Sequence, residues 1–274
     1  MNKTELNRLT GIAREIRIHI IKMLAESGSG HPGGSLSLAD ILAFLYFKEM
    51  RIDPKNPEMP GRDRFLLSKG HAAPVLYAAL ALKGFFPVED LLTLRKIHSH
   101  LQGHPHRIDT PGVEASTGSL GQGLSMAVGM AIGCRLSQSE ANIFSVIGDG
   151  EAQEGQIWEA AMTAGFRGLN NLCVFLDYND LQIDGRVSKI KDIYPVKEKW
   201  QAFRWHVLEI DGHNLEEIET AVNGFKSETE KPTMVIAKTT KGKGVSFMED
   251  GVDWHGTAPS REEAEQALKE LTNG

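Results

Sequence analysis

The sequence contains few of the features that mark disulfide-rich, membrane-spanning or secreted proteins. Among its 274 residues are only two cysteines, Cys134 and Cys173, and neither belongs to a C-x-x-C pair or a metal-ligand spacing. No apolar run approaches the roughly 20 residues that a membrane span needs, and the N-terminal segment is too charged for a signal peptide. We therefore expect a soluble cytoplasmic protein without a membrane segment, whose two cysteines are inert core residues.

The chain also has few aromatic residues and no excess of positive charge. Aromatics make up 7% of the chain, and 30 Lys and Arg against 36 Asp and Glu leave a formal charge of −6. A mildly negative chain disfavours nucleic acid as the main partner. The length allows a large hydrophobic core, and no repeat or linker divides the chain. We expect a single domain over 1–274, with a core at about 9–259 and a charged peripheral helix at about 260–272.

Short apolar runs alternate with helical patterns along most of the chain. The runs predict strands at Arg64–Leu67, Ile143–Ile147, Leu172–Leu176, Val207–Ile210 and Met234–Ala237. The helical patterns cover the first two dozen residues and Ser37–Phe47, Ala73–Lys83, Val88–Lys96, Leu120–Leu136, Gln156–Ala164, Leu215–Phe225 and Arg261–Leu271. Buried strands separated by helices predict an α/β fold, with a doubly wound, mostly parallel sheet and helices on both faces.

Polar residues and glycines follow each predicted strand. The five clusters are Ser68–His71, Gly148–Glu151, Asp177–Asp180, Asp211–His213 and Lys238–Gly244. Turn formation alone explains one or two such clusters. Five of them, rich in His, Lys, Asp and Asn, favour a binding site at the carboxyl ends of the strands, where open parallel sheets bind ligands.

Two of these clusters offer hard oxygen ligands. Asp149 and Asn179, with a backbone carbonyl just after Asn179, would complete a Mg²⁺ or Ca²⁺ shell with ligand phosphates and water. The glycines around Asp149, ahead of a helix expected from about Glu154, would place backbone N–H groups on that phosphate. For Asp149 alone, a helix-capping role is an equally good interpretation.

Two further patterns invite other functions. Gly28-x-Gly30-x-x-Gly33 matches the dinucleotide fingerprint, but it follows a predicted helix rather than a strand, so we reject a nicotinamide site. A histidine-rich loop suggests zinc, but it lacks cysteines and an H-E-x-x-H helix, so most of its histidines are interpreted as ordinary loop residues. These histidines are His98, His100, His104 and His106.

Together the motifs resemble the thiamine diphosphate domain of transketolases, and more closely the N-terminal chain of transketolases encoded as two polypeptides. The similarity runs from about Leu9 to about Pro259. It rests on the segments Ser29–Gly34, Ser68–Ala72, Gly103–Pro105, Gly118–Gly123, Gly148–Gly150 with Glu154-Gly155, Asp177–Gly185, Lys241–Gly244 and Trp254–Gly256. The G-D-G motif with its downstream Asn marks all thiamine diphosphate enzymes, and the other segments restrict the resemblance to the transketolase group.

The resemblance implies a role for each of these site residues. Asp149, Asn179 and the carbonyl of Leu181 would hold Mg²⁺ or Ca²⁺ against the diphosphate. Contacts to the cofactor or its neighbourhood are implied for Lys69, His71, Gly118, Ser119, Leu120, Gly150, Asn179, Lys241 and His255. His31 and His104 would bind the donor ketose, and His31 and His255 would assist proton transfer. Glu154 would belong to a carboxylate relay near a dimer interface; as an alternative it is a first-turn helix acid.

The resemblance also implies a missing half of the active site. Single-chain transketolases are more than twice as long, and their second domain supplies the glutamate and aromatic pocket for the aminopyrimidine and arginines for the sugar phosphate. We expect a separate C-terminal chain to supply these groups in a heterotetramer of two plus two chains. The expected reaction transfers a ketol unit from a ketose phosphate to an aldose phosphate, with pentose phosphate chemistry as the default.

Five alternatives stay open. One is the α chain of a 2-oxo acid dehydrogenase, and a second is a protein similar to deoxyxylulose-phosphate synthase. A third is a transketolase that acts on a specialised non-pentose sugar, and a fourth is a non-catalytic paralogue. The last is a nicotinamide dehydrogenase, which the position of the glycine pattern after a helix disfavours.

Overall fold

The computed structural model describes residues 1–273 and is built around a five-stranded parallel sheet. The strands of the chain are β1 Arg64–Leu67, β2 Ile143–Gly148, β3 Leu172–Tyr178, β4 Leu181–Gln182, β5 Gly185–Arg186, β6 His206–Asp211 and β7 Thr233–Lys238. The sheet has the order β1-β2-β3-β7-β6, and β4 and β5 form a separate antiparallel hairpin. The predicted α/β fold with a parallel sheet is confirmed.

Helices cover both faces of the sheet. They are α1 Lys3–Ser27, α2 Gly33–Leu36, α3 Ala39–Phe44 with a π-helical turn Leu45–Glu49, α4 Ala73–Lys83, α5 Gln122–Leu136, α6 Gly155–Arg167, α7 Val187–Ile190, α8 Val196–Ala202, α9 Leu215–Ser227 and α10 Arg261–Asn273. Alternate strand residues point to opposite faces. Phe144 and Phe175 therefore pack with α1, α3, α4 and α9, whereas Ile143 and Val174 pack with α5, α6 and α8.

The strand order creates a crevice beside β3. The chain steps from β1 through β2 to β3, crosses to the far edge as β6, and returns to place β7 between β3 and β6. The direction of strand addition therefore reverses at β6, which places β7 beside β3 although the two strands are not consecutive in the sheet's chain order. Open α/β sheets bind ligands where the strand order reverses, outside the carboxyl ends of the strands.

The first helix shows how the sequence sets an element's limits. The side chain of Asn2 accepts a hydrogen bond from the Glu5 N–H at 2.9 Å, and the helix ends where Gly28 adopts the left-handed conformation with φ 61°. The dinucleotide-like glycine pattern therefore does follow a helix, as the sequence indicated.

Two elements differ from their predictions. The helix predicted at Val88–Lys96 is a 3₁₀ turn over Val88–Thr93, and Arg95 just beyond it adopts a positive φ of 61° that continues no helix. Strand β6, expected to be buried, lies at the edge of the sheet, and only Ile210 along it is buried.

Three further expectations concern the C-terminal helix, the cysteines and membrane-spanning helices. Helix α10 buries Ala264, Ala267 and Leu271 beside α1, so only its outer side is peripheral. Both cysteines are buried as expected. No helix within residues 1–273 is long and apolar enough to cross a membrane.

Candidate functional site

A pocket of about 310 Å³ opens at the carboxyl ends of β1, β2, β3 and β7. It is lined by twelve of the fourteen predicted site residues: His31, Lys69, His71, Gly118, Leu120, Asp149, Gly150, Glu154, Asn179, Leu181, Lys241 and His255. Of the other two, His104 packs beside Gly118, where an added Cβ would lie 3.0 Å from its ring, and Ser119 is exposed on the same loop as Gly118. A second pocket, of about 360 Å³ around Arg62 and Glu114, contains none of them.

Asp177, at the end of β3, is a fully buried carboxylate that the protein itself neutralises. It forms an ion pair with Lys69 and accepts hydrogen bonds from the Ser37 hydroxyl at 2.8 Å and from the Thr239 hydroxyl. Burial opposes the charge, but Lys69 and the hydroxyls outweigh it and hold the pKa of Asp177 below its usual value. Lys69, predicted as a cofactor contact, is thus committed to Asp177 at the floor of the pocket.

Asp149, just after β2, is a buried carboxylate with a different environment. One oxygen accepts the Gly150 N–H at 2.7 Å, and the other accepts the N–H groups of Asn179 and Asp180 at 3.0 and 2.6 Å. Within residues 1–273 no side-chain cation bonds to it. Burial and the negative Asp177 raise the pKa of Asp149 to about 7, against the opposing effect of the N–H donors and Lys241. A buried carboxylate that lacks a counter-charge is suited to a divalent cation.

The other two predicted metal ligands follow β3, with Asn179 in the turn and Leu181 at the start of β4. The Asn179 side-chain oxygen accepts the Leu181 N–H at 3.1 Å, and its amide nitrogen donates to Asp177 at 3.2 Å. The Leu181 carbonyl accepts a hydrogen bond from the Lys241 ammonium at 2.9 Å. Each oxygen keeps a second lone pair, so these residues fit a magnesium ion that takes its remaining ligands from phosphate and water.

A metal site made from the protein alone is not present in the described residues. No group of three or more His, Cys, Asp or Glu within 1–273 is arranged to hold an ion. The histidine-rich loop does not converge, because His100 contacts Asp90 and His106 contacts Asp109. The zinc interpretation is therefore unsupported, and any ion at Asp149 needs oxygens from a ligand.

The N–H groups around Asp149 are not free donors. The Gly148 N–H bonds to the Glu151 carboxylate at 3.1 Å, the Asp149 N–H to the Asp177 carbonyl at 3.3 Å, and the Gly150 N–H to Asp149 itself. The structure thus does not show the phosphate cradle that the glycines suggested. Asp149 does not cap α6 either, because Glu154 occupies the N-cap position.

Glu151 is a site residue that sequence reasoning missed. It is buried and accepts hydrogen bonds from the Ser68 hydroxyl and from the N–H groups of Gly121 and Gly148. These three donors follow β1, begin α5 and end β2, so a single carboxylate joins the loops that surround the pocket. The only sequence signal for this role of Glu151 is its position as an acidic residue immediately after the G-D-G motif.

Three imidazoles cluster in the lining of the pocket. The rings of His31, His71 and His255 lie 5.2 to 5.7 Å apart. Burial, followed by nearby positive charges, lowers their pKa values to about 4, 2 and 3. All three are therefore neutral near pH 7, and the His31 Nδ1 atom is buried without a hydrogen-bond partner. Neutral rings of this kind can both accept and donate protons.

Lys241 connects the imidazoles with the proposed metal ligands. Its ammonium lies 2.7 Å from His255 Nδ1 and 2.9 Å from the Leu181 carbonyl. Because the ammonium can only donate, His255 Nδ1 accepts and the ring proton lies on Nε2. Burial, followed by the neighbouring Lys69, lowers the pKa of Lys241 to about 8. At pH 7 it is still a cation at the edge of the pocket.

Glu154 lies at the rim, away from the imidazoles. Its side chain is exposed and makes no capping hydrogen bond. Gly121, with φ 84°, passes close to it, and an added Cβ there would lie 3.0 Å from the Glu154 Cβ. The carboxylate relay involving Glu154 stays a prediction.

Comparisons with known proteins agree with this geometry. The family "Transketolase, thiamine diphosphate binding domain" matches residues 9–273. A 6-deoxy-6-sulfo-D-fructose transketolase subunit of Clostridium sp. (strain MSTE9) is 49% identical over 94% of both chains. An apulose-4-phosphate transketolase subunit of Phocaeicola vulgatus is 40% identical over 93% of this chain and 91% of its own.

Solved transketolases contain the same fold as part of a longer chain. The crystal structure of the Campylobacter jejuni enzyme superposes with a TM-score of 0.93 at 37% identity, covering 99% of this chain but 43% of that one. Human transketolase, 41% identical, is likewise covered over 43% of its length. The chain therefore belongs to the transketolase family, where it corresponds to the N-terminal subunit that carries the thiamine diphosphate-binding domain.

Proposed function

We propose that this chain, together with a separate partner chain, transfers a two-carbon ketol unit from a ketose phosphate to an aldose phosphate, with thiamine diphosphate and Mg²⁺. One observation carries the proposal: a single pocket gathers Asp149, Asn179 and the Leu181 carbonyl beside three neutral imidazoles. Diphosphate binding and proton transfer at a sugar need these two sets of groups side by side.

The charge of the pocket supports a divalent cation. Five acidic side chains line it against two lysines, and Lys69 is already paired with Asp177. A diphosphate alone would meet net repulsion there, whereas a bound Mg²⁺ would supply the positive charge that offsets both the acidic side chains and the diphosphate. Asp149, Asn179 and the carbonyl of Leu181 are the groups that would hold this ion.

The remaining roles follow from where the side chains lie. When bound, thiamine diphosphate would supply the nucleophilic carbon and the electron sink that ketol transfer requires. His71, Gly150 and Lys241 would face the diphosphate, and the Gly118–Leu120 segment would lie along the aminopyrimidine.

The imidazoles are the groups that would bind the donor sugar. His31 and His104 would hold its hydroxyl and carbonyl groups, and His255, with its proton on Nε2, would donate to a developing oxyanion. Lys69 acts indirectly, by holding Asp177 and the end of β3.

A partner chain is supported by the relatives and by the surface. Both two-chain relatives are described as subunits, and single-chain transketolases extend far beyond the matched part. Large apolar side chains are exposed on α5, on α6 and on the hairpin beside the pocket: Met126, Leu136, Met162, Phe166 and Ile183. Clustered exposed apolar groups mark interaction surfaces. We propose a heterotetramer of two plus two chains, located in the cytoplasm.

The sugar pair has two candidates. Pentose phosphates are the default for the family, and a specialised sugar is the second, because two similar relatives are named for 6-deoxy-6-sulfo-D-fructose and apulose 4-phosphate. In both cases the donor is a ketose, and the arginines that would bind its anionic end are expected on the partner.

The test is an assay of ketol transfer with the chain alone and after mixing with its partner chain. Donors are xylulose 5-phosphate, 6-deoxy-6-sulfo-D-fructose and apulose 4-phosphate, each offered with an aldose phosphate as the acceptor, and pyruvate is the control for 2-oxo acid chemistry. We expect no turnover by the chain alone and turnover of a ketose by the complex. Robust transfer by the isolated chain, or turnover of pyruvate in place of every ketose, would contradict the proposal.

A further inference from the structure

A second buried polar cluster lies outside the lining of the pocket and takes no part in the roles described so far. It joins Arg17 on α1, Asp40 on α3 and His213 in the turn after β6. Arg17 and Asp40 are each only 8% exposed. The Arg17 guanidinium bonds to both carboxylate oxygens of Asp40, at 3.3 and 2.5 Å, and His213 Nδ1 lies 2.8 Å from the same carboxylate.

The hydrogen bonds show which nitrogen of the His213 ring carries the proton. The Thr240 N–H points to His213 Nε2 at 2.8 Å, and because a backbone N–H can only donate, Nε2 is the acceptor. The ring proton therefore lies on Nδ1 and is donated to Asp40. Burial opposes ionisation of Asp40, but Arg17 and His213 outweigh it and lower its pKa to about 2, so the carboxylate stays charged and keeps the ring in this orientation.

The acceptor atom of His213 holds the backbone immediately before Lys241. The loop leaves the sheet at the end of β7, and beyond Lys241 the Gly242 N–H donates to the Gly33 carbonyl at 3.0 Å. Thr240 and Gly242 thus anchor the backbone on both sides of Lys241, whose ammonium meets the Leu181 carbonyl and His255. An anchor on each side fixes where this ammonium lies.

We propose that His213, oriented by Asp40 and Arg17, is a positioning residue that sets the location of Lys241 and through it the affinity of the pocket for a diphosphate with its metal ion. The inference rests on the proposed function, because it assumes that this pocket takes such a ligand. It assigns His213 no contact with the sugar. Loss of His213 therefore weakens cofactor binding and leaves the donor KM unchanged once the cofactor is saturating.

Three variants of the complex with its partner chain test this role. His213→Phe removes both hydrogen bonds, whereas His213→Gln keeps one donor and one acceptor. His206→Phe is the matched control, since His206 is a half-buried histidine on β6 that contacts Thr233 at 3.3 Å and does not reach the loop. The readouts are the affinity for thiamine diphosphate at fixed Mg²⁺, measured by calorimetry, the KM for the donor ketose, and the melting temperature.

We expect His213→Phe to weaken cofactor binding roughly 10- to 100-fold, the usual effect of losing a group that orients a ligand-binding residue. His213→Gln should recover most of that loss, and His206→Phe should bind as the wild type does. If His213→Phe fails to fold, His213→Asn serves instead, because its amide keeps the Asp40 contact and falls short of the Thr240 N–H.

Wild-type affinity in His213→Phe or His213→Asn would overturn the role, as would an equal loss in His206→Phe. A folded His213→Gln that binds no better than His213→Phe would also overturn it. A wild-type complex that binds no thiamine diphosphate would instead refute the proposed function itself.

Discussion

Asp177 and Asp149 are buried carboxylates at the carboxyl ends of neighbouring strands, and the protein treats them in opposite ways. Asp177 has an ammonium, two hydroxyls and an amide around it, which lower its pKa. Asp149 has three backbone N–H groups and no cation partner within residues 1–273, and its pKa is raised to about 7. The charge of Asp177 is balanced within the chain, whereas Asp149 lacks a counter-charge until a ligand supplies one.

The same contrast separates the histidines. His213 uses both ring nitrogens within the protein, whereas His31 has a buried Nδ1 atom without a partner. Both ring nitrogens of His213 are therefore satisfied by the chain, whereas His31, which lines the pocket, keeps one ring nitrogen for a ligand. The comparison distinguishes a histidine that holds the fold from one that can bind a ligand.

Replacing Asp177 should have the largest effect on stability. Asp177→Asn leaves the Lys69 ammonium buried without its counter-charge, and breaking a buried pair in this way costs about 3–5 kcal/mol. We expect this loss in the free energy of unfolding, measured by urea denaturation. Asp184→Asn, exposed at the hairpin tip, is the control and should stay within about 0.5 kcal/mol of the wild type. A stable Asp177→Asn protein would remove the distinction between the two carboxylates.

Replacing Asp149 should cost less. Asp149→Asn loses one or two hydrogen bonds from backbone N–H groups but also removes a buried charge that has no partner, so we expect a loss of about 1–2 kcal/mol. The measurement is the same denaturation experiment, without metal or cofactor. A loss as large as that of Asp177→Asn would show that Asp149 also serves mainly to hold the fold.

The pH dependence of stability should have opposite signs at His71 and Asp149. The folded pKa of His71, about 2, lies below the ordinary 6.5, so the unfolded chain takes up a proton first and stability falls as the pH drops below 6.5. The folded pKa of Asp149, about 7, lies above the ordinary 3.8, so the folded chain takes up a proton first and stability rises as the pH drops from about 7 to 4. Each slope is at most about 1.4 kcal/mol per pH unit, and solvent reduces that of the half-buried His71 ring.

The test compares unfolding curves of metal-free variants between pH 7 and pH 4. Relative to the wild type, His71→Asn should gain stability as the pH falls, and Asp149→Asn should lose it. Asp40, whose pKa is lowered to about 2, contributes stability that is lost only below about pH 4 and does not enter this window. Parallel curves for the two variants and the wild type would contradict the assigned charge states.

Replacing Glu154 should have the smallest effect on the chain alone. Its carboxylate is exposed at the rim, so Glu154→Gln should change the free energy of unfolding by less than about 0.5 kcal/mol. In the complex, ketol transfer should fall, because the predicted relay needs the carboxylate. Glu262→Gln, on the exposed side of α10, should change neither quantity. Full activity of Glu154→Gln would leave Glu154 as a helix-terminal acid only.

The strands and most of the pocket were accessible from the sequence. Continuous apolar runs identify buried strands, and the polar segments after them meet at one edge of a parallel sheet. The edge strand β6 was misjudged because its exposure depends on its place in the sheet. Helix α8, seven residues long, is too short for a periodic pattern to predict.

Pairings between distant residues could not be predicted. Lys69 and Asp177 lie 108 positions apart, and Asp40 and His213 lie 173 apart, so their contacts depend on strand order and helix packing. The phosphate cradle expected at Gly148–Gly150 failed for a related reason. Carboxylates of the same chain, Asp149 and Glu151, take two of its N–H groups, and only the folded geometry shows this competition.

The most direct test of the contrast between the two carboxylates is a titration of the chain and its partner with thiamine diphosphate, with and without Mg²⁺. For the wild-type complex we predict tight binding that depends on Mg²⁺. For Asp149→Asn we predict weak binding that Mg²⁺ no longer improves, because the carboxylate that lacks a counter-charge is gone. If the wild-type and Asp149→Asn complexes bind thiamine diphosphate with equal, Mg²⁺-dependent affinity, the assignment of Asp149 as a metal ligand is contradicted.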